Sequence, residues 1–473
     1  MIEEYDFSPM ELLAKPELRT TINRQKLRDT ATKLQKMLED FGVRAFVVNI
    51  NCSPFITQYE IQLEQGVRIR QITKLSDDIK LNLAVSDIQI DAPIPDKSTI
   101  GINIPNEEYS TVFIREVIES RAFAESISNV VVALGKDMLG NVVVGDIAMM
   151  SNLLIGGTIS SGKTTLINSI IMSIIYKSLP RDTRMIIIDT KKVDLSVYNG
   201  IPHLLIPVIT DLKKANEALK WAVMEMIDRY KKFADLGAKD FKEYNKKVYN
   251  FDNLNSEYLI FPQIVIIIDD LADLMLSSYR KEIEGSIYLL TQKANVTRLY
   301  LIISTQRPST DIITGRIKAN IRSRVAFNTF SAIDSRTILE EKGAEKLLGN
   351  GDMLFKQKGF LNLIHVQGAF VSDYEVSRVV DFLKEQYISS NFVNEETPII
   401  NDRDDYFFDV GRFIIEKEKA SIGMLQRVYK IGFNRAAQIM DQLETAGVVG
   451  SEEGTKPRKI LMTMKEFESK YLE

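Results

Sequence analysis

The stretch Leu153-Leu154-Ile155-Gly156-Gly157-Thr158-Ile159-Ser160-Ser161-Gly162-Lys163-Thr164-Thr165-Leu166-Ile167-Asn168-Ser169-Ile170-Ile171 decides the fold. Its centre, Gly157 to Thr164, fits G-x-x-x-x-G-K-[ST] without a mismatch. Chance produces that string on the order of once per hundred chains of this size, so the flanks carry the argument. A short apolar run precedes it and reads as a buried strand; the apolar run after it reads as a helix. In that setting the loop's backbone N–H groups turn inward on phosphate oxygens at a helix N-terminus. Lys163 brings positive charge to the β- and γ-phosphates, and Thr164 offers a hydroxyl to Mg²⁺. Gly157, Thr158, Ile159, Ser160, Ser161, Gly162, Lys163, Thr164 and Thr165 are therefore the expected contacts of ATP.

A phosphate loop of this kind needs a carboxylate from a second strand. Ile264-Val265-Ile266-Ile267-Ile268-Asp269-Asp270 supplies two, because a run of β-branched residues buries a central strand and its end delivers both acids. Asp269 is expected in the Mg²⁺ shell with Thr164, and Asp270 is placed to orient or activate water. At another strand end, Ser304-Thr305-Gln306-Arg307-Pro308 offers Gln306, which either senses the γ-phosphate or positions water, or is a polar turn residue. Further strands are expected at 152–155, 184–188, 299–303 and 325–327, alternating with long helical patterns such as 213–236. Continuous apolar strands separated by helices imply a parallel sheet covered on both faces, an α/β fold.

The chain has 473 residues, which at about 150 per domain suggests three domains. Hydrophobic residues make up 45% and charged residues 26%, so a largely disordered chain is excluded. Sixty Lys and Arg against 64 Asp and Glu give a net charge of −4, so contact with nucleic acid has to come from local clusters. Cys52 is alone and cannot form an internal disulfide, which fits a reducing cytoplasm. His203 and His365 stand far apart without a cysteine, which argues against a zinc site. The acidic start, Met1 to Asp6, is unlike a signal peptide, and no apolar run reaches the roughly 18 to 20 residues of a membrane span.

Before the central block, an arm at 1–19 leads to a helix over 20–41, strands at 43–48 and 56–63, a helix at 72–84 and strands at 87–91 and 99–104. This reads as a small α+β domain, 20–130. The P-loop domain spans 131–390, with a surface excursion at 239–261. A polar linker, 391–405, leads to a domain at 406–473, where helices precede a turn at 452–457 and a strand at 460–462. Helix-turn-helix followed by a β-wing is a winged-helix pattern. Two basic clusters stand out. Arg316, Lys318, Arg322 and Arg324, with Arg336 following, are either a solvated charge run or groups reaching a neighbour's nucleotide or a central pore. Arg427, Arg435, Lys456 and Arg458 suit DNA phosphates, with Asn434 and Arg435 leading a recognition helix.

Taken in order, Gly157 to Thr164, Asp194 to Leu205, Asp270-Leu271-Ala272-Asp273-Leu274-Met275, Thr305 to Ser309, Ile317 to Ile321, Asp334 to Leu339 and Gly349-Asn350-Gly351-Asp352-Met353-Leu354 resemble the FtsK/SpoIIIE DNA translocases. The resemblance covers nearly the whole chain. It implies an α-domain, a RecA-like β-domain and a C-terminal γ winged helix containing Gln426-Arg427 and Ile431 to Ala437. It also implies a homo-hexameric ring that uses ATP and Mg²⁺ to pump double-stranded DNA, with γ reading short oriented sequences and, in some members, touching the XerCD recombinase. Lys163, Thr164, Asp269, Asp270 and Gln306 then form the hydrolytic set, with one or more of Arg298, Arg316, Arg322, Arg324 and Arg336 acting across subunits. The chain departs from the family pattern in three places. Asp270 stands where Glu is usual, Asn295 replaces an arginine after Gln292-Lys293-Ala294, with Arg298 one turn on as the substitute, and Gln438 follows Ala437 where Arg is common. No segment matches the family's N-terminal membrane domain. Rival readings are a conjugation or secretion ATPase moving single-stranded DNA or protein, and a DNA-binding scaffold that has lost catalysis.

Overall fold

The computed structural model describes residues 7–15, 24–52, 56–85, 88–94, 97–106, 111–191, 194–250, 259–360, 362–389, 406–417, 419–450 and 457–471. They divide into two compact units, Met1–Pro398 and Ile399–Glu473.

The first unit begins with an antiparallel sheet of β1 (Ala45–Cys52), β2 (Ile56–Leu63), β3 (Gln89–Asp91) and β4 (Ile100–Pro105), in the order β1-β2-β4-β3. Alternation along the strands sends Tyr59, Ile61, Ile100 and Ile102 to one face. There they meet Leu34 and Leu38 of the helix Arg24–Asp40, spaced four apart on one helical stripe. The single helix expected over 72–84 is two, Ile69–Lys74 and Ser76–Leu83, parted at Leu75, where ψ swings to 8°.

The larger sheet contains, among the described residues, β5 (Val131–Asp137), β6 (Val142–Asp146), β7 (Asn152–Gly156), β8 (Thr183–Asp189), β9 (Gln263–Asp269), β10 (Leu299–Thr305), β11 (Ser323–Phe327), β12 (Asp352–Lys356) and β13 (Ile364–Gly368). Their order is β6-β5-β13-β12-β11-β7-β10-β9-β8. The five strands β7 to β11 are parallel, as the sequence predicts. The antiparallel extension formed by β12, β13, β5 and β6 was not anticipated. β6, β12 and β13 have five residues each, and Gly135 and Gly145 interrupt the apolar pattern of β5 and β6.

The helix after the loop, Lys163–Lys177, is buried nearly all round because it lies against the sheet and beneath other elements. The helix Leu212–Asp235 starts where Asp211 accepts hydrogen bonds from the backbone N–H groups of Lys213 and Lys214. The excursion expected over 239–261 opens as a packed helix, Phe241–Asn250, whose Tyr244 stacks on Phe261 at 4.8 Å and lies fully buried. Residues 251–258 lie outside the described set.

One topological fact positions the site. β10 separates β7 from β9, so three carboxyl ends lie side by side: the loop after β7, Thr305 at the end of β10 with Gln306 following, and Asp269 at the end of β9 with Asp270 following. In open parallel sheets, ligands bind in the crevice beyond such ends.

The second unit packs the helices Phe407–Lys417, Ile422–Tyr429 and Phe433–Thr445 around Phe407, Leu425, Ile439 and Leu443. The expected strand at 460–462 reduces to the bridge Val449–Ile460 and one between Ala420 and Arg458, both antiparallel. A final helix, Met464–Tyr471, was not expected; its Phe467 fills the core beside Phe407. The linker 391–405 and Lys456 lie outside the described residues, as do the side chains of Asn434 and Gln438.

Candidate active site

β7 ends in a loop whose backbone is built for close approach. Gly162 sits at φ +119°, and a Cβ there would lie 2.8 Å from the Cα of Gly351. Only glycine fits. Thr158 N donates to Asn328 O at 2.8 Å, and Gly351 N donates to Ser161 O at 3.0 Å, so the loop is tied to the segments flanking β11 and β12. Ser161 Oγ donates to Thr158 O at 2.7 Å. The Lys163 ammonium is folded back onto the same Thr158 carbonyl and lies 3.5 Å from Ser161 Oγ. Burial lowers the Lys163 pKa to about 8; the carboxylates of Asp270 and Asp269 oppose the fall and Lys191 adds to it.

Beside the loop lies a cavity of about 430 Å³, large enough for a nucleotide. Its wall includes Ser160, Thr164, Thr165, Gln306, Asn350 and Gln367. Gln306 thus joins the loop, as the sequence suggests, whereas Asn350 and Gln367 were not expected. They arrive from the antiparallel extension, Asn350 from the turn before β12 and Gln367 from β13.

The acids follow from register. Asp269 is β9's last residue and pairs with Asp189, the last residue of β8, and both are buried. Burial raises the Asp269 pKa to about 6, with the nearby carboxylates of Asp189, Asp270 and Asp194 adding to the rise and Lys191 opposing it. Asp270 lies in the left-handed region at φ +67° and caps the helix Leu271–Met275, accepting from Ala272 N at 3.2 Å. Thr305 Oγ1, from the end of β10, donates to the same Oδ1 at 3.4 Å. Asp189 was missed, although Ile186-Ile187-Ile188-Asp189 repeats the signal of an apolar run closed by an acid.

Mg²⁺ fits this donor set. Among the described residues no cluster of three or more acids, histidines or cysteines forms a protein cage. Mg²⁺ bound with phosphates needs only one or two protein oxygens beside them. Thr164 Oγ1 lies 3.4 Å from Asp194 Oδ2, and beside the burial that chiefly raises the Asp269 pKa stand the charges of Asp189, Asp270 and Asp194, whose repulsion a divalent cation would relieve.

The candidate arginines divide. Arg324, expected to touch DNA or a neighbour, is 4% exposed, and its guanidinium is spent inside the domain: Nε on Ile321 O, NH1 on Ile338 O, NH2 on Lys318 O, with Glu340 at 3.0 Å. The expectation is corrected: inside a wholly buried strand its side chain has no outward direction to take. Arg458 is corrected likewise; it is 8% exposed and bound to Met440 O, Glu444 and Asp441. Arg316, Arg322 and Arg336 are exposed, and Lys318 donates to Arg336 O at 3.0 Å. Arg298 precedes β10 and bonds Tyr300 OH at 2.8 Å, at the opposite end of that strand from Gln306. In the second unit Arg427 is exposed, and Arg435 is exposed with its guanidinium 4.9 Å from the centre of the Tyr406 ring. No helix among the described residues is long and apolar enough to cross a membrane.

A lysine-bearing phosphate loop, paired acids two strands away and a parallel sheet with one strand between them define the fold of a RecA-like P-loop ATPase. The chain shares this fold with the pCW3 conjugation coupling protein TcpA, solved as a monomer with ATPγS (TM-score 0.52, 20% identity, covering 75% of this chain and 99% of that one). Family models match along the chain: the FtsK alpha domain at residues 7–106, the FtsK/SpoIIIE family at 113–310 and the Ftsk gamma domain at 401–463. The chain belongs to the FtsK/SpoIIIE family. It is 47% identical to the DNA translocase FtsK of Caldanaerobacter subterraneus subsp. tengcongensis over 98% of its own length and 65% of that protein's. It is 42% identical to the DNA translocase SpoIIIE of Bacillus subtilis over 98% of its own length and 60% of that protein's. It thus spans somewhat under two thirds of the curated relatives it matches.

Proposed function

We propose that the chain hydrolyses ATP to drive double-stranded DNA through a homo-hexameric ring, in chromosome partitioning or in movement of a mobile element. One observation carries this reading. The loop with Lys163 lines a nucleotide-sized cavity together with Gln306, and the carboxylates of Asp269 and Asp270 at the end of β9 are near enough to act on the Lys163 ammonium, within a chain 42% and 47% identical to proteins named DNA translocases. Lys163 binds the β- and γ-phosphates, Thr164 and Asp269 hold Mg²⁺, Asp270 takes the proton of the attacking water, and Gln306 faces the terminal phosphate. Mg²⁺ supplies charge neutralisation between the phosphates when bound.

In this reading residues 20–130 and 131–390 form the ring, and 391–405 tether a DNA-reading domain at 406–473 that also meets a XerCD-type recombinase. Arg316, Lys318 and Arg322 contact DNA in the pore, and Arg336 or Arg298 reaches a neighbour's nucleotide. The ring works in the cytoplasm, recruited to a membrane or septum by a partner.

Displacement of a third strand from duplex DNA on addition of ATP tests the proposal. Displacement together with duplex-stimulated hydrolysis supports it; no displacement at any DNA length, with hydrolysis indifferent to duplex, overturns it. The fold shared with a conjugation coupling protein motivates the alternative of a single-strand motor. Stronger stimulation by single-stranded than by duplex DNA would favour that alternative.

A further inference from the structure

Lys191, which the sequence reading did not single out, stands at the active site. It leaves β8 two residues after Asp189, and its Nζ lies 2.5 Å from Asp270 Oδ2. The segment that presents it is pinned: Asp189 accepts from Lys191 N and from Leu195 N, each at 3.1 Å, and Thr190 Oγ1 donates to Asp273 Oδ2 at 2.9 Å. Asp270 is fixed from its other side, since Oδ1 faces Ala272 N and Thr305 Oγ1. The ion pair therefore joins the end of β8 to the cap of the helix Leu271–Met275, with Lys191 as its more exposed member.

Two ammonium groups thus stand near the acids. Lys163 rests on a carbonyl of its own loop and Lys191 on Asp270, and the two are near enough for the charge of Lys191 to depress the pKa of Lys163. A carbonyl and a lone carboxylate are weaker partners for ammonium than a terminal phosphate carrying about two negative charges. A carboxylate paired with an ammonium is also a poorer base than a free one.

We propose that Lys191 is a second phosphate-binding lysine, held by Asp270 and exchanged onto the terminal phosphate of a nucleoside triphosphate, so that Asp270 is released when a triphosphate is present. A diphosphate lacks the group that draws Lys191 away and leaves the pair closed. This inference rests on the nucleotide-site reading above.

The test is equilibrium binding of ATPγS and of ADP to the full chain with Mg²⁺, by competition against a fluorescent ADP analogue, which requires no turnover. Lys191→Met is expected to weaken ATPγS at least tenfold and ADP less than twofold, with Lys191→Arg recovering most of the loss. Asp270→Asn is expected to tighten ATPγS several-fold when Lys191 is present and to have no such effect in the Lys191→Met background. Equal weakening of ATPγS and ADP by Lys191→Met overturns the proposal, as does equal tightening by Asp270→Asn in both backgrounds, the mark of a general charge effect. Melting temperatures of each variant, with Lys191→Gln as a second neutral replacement, separate misfolding from lost binding. If the wild-type chain binds neither nucleotide, the nucleotide-site reading itself fails.

Discussion

Asp189 and Asp269 end neighbouring parallel strands in register, two buried carboxylates side by side. Placing them there opposes folding, because burial and mutual repulsion both disfavour the charged form, and Asp269 responds with a pKa of about 6. The folded chain then holds this proton more tightly than the unfolded one. The associated stability is fully present below the unfolded carboxylate pKa of about 4 and is lost as pH rises through about 6. At pH 7.5 the ionised Asp269 is a burden on the order of 2 to 3 kcal/mol. Asp269→Asn is therefore expected to raise the melting temperature by several degrees at pH 7.5, with the gain vanishing near pH 4, while ATP turnover falls at least a hundredfold. Calorimetry at the two pH values, beside a turnover assay, checks it; a variant less stable than wild type at pH 7.5 contradicts the argument.

Asp270 has a structural duty that can be separated from its chemical one. It caps the helix Leu271–Met275 from a left-handed backbone, and Asn is as good a cap there as Asp and tolerates that backbone nearly as well. Asp270→Asn should leave the melting temperature within a few degrees of wild type and reduce turnover at least a hundredfold. Asp270→Glu restores the acid usual in the family but moves the carboxylate away from Ala272 N, so it should cost about 1 kcal/mol of stability while retaining hydrolysis. If Asp270→Asn turns over at the wild-type rate, Asp270 does not activate the attacking water.

The basic cluster around β11 yields opposite outcomes within nine residues. Arg324 is enclosed by three carbonyls and Glu340, so Arg324→Met should destabilise by roughly 2 to 4 kcal/mol, lowering the denaturation midpoint in urea. Arg316 and Arg322 are exposed, and replacing either with alanine should change stability by less than about 0.5 kcal/mol. If they face DNA, each alanine variant should weaken duplex binding several-fold and reduce the salt dependence of that binding by about one unit of slope. Unchanged affinity and slope in both variants would return the exposed pair to the role of a solvated surface.

What was legible in the sequence was what is local. The phosphate loop and the acids at 269 and 270 each announce themselves within about ten residues, because a buried central strand must be apolar throughout and its end is where polarity returns. The partnership of Asp189 with Asp269 was not legible, since it depends on which strands become neighbours and in what register. Lys191 was hidden for the same reason: its partner lies 79 positions away, across a strand boundary. Gln367, on the five-residue β13, and Asn350, in the turn before β12, enter the cavity through an antiparallel extension whose pairing is not local in sequence. Arg324 and Arg458 were misread because a count of positive charges says nothing about direction. For Arg324 a cue existed, since Val325-Ala326-Phe327 follows it in an apolar strand.

The second unit repeats that contrast on a smaller scale. Arg435 stands in the first turn of the helix Phe433–Thr445, exposed, with its guanidinium over the Tyr406 ring at 4.9 Å. A cation held on an aromatic face loses little freedom when it meets a phosphate or a base edge, and the first turn of a recognition helix is where such contacts form. Arg458 is enclosed by Glu444, Asp441 and the carbonyl of Met440, and so pins the segment before Ile460 to the end of that same helix. Arg435→Ala is expected to leave the melting profile unchanged and to lower duplex affinity of the full chain at least threefold, with a smaller salt dependence. Arg458→Ala is expected to uncover two acids, destabilise the second unit by about 2 kcal/mol and lower the first melting transition, whatever DNA is present. Equal loss of DNA affinity in both variants without any change in melting would mean that Arg458 reaches DNA after all, and that the enclosure by Glu444 and Asp441 opens on binding.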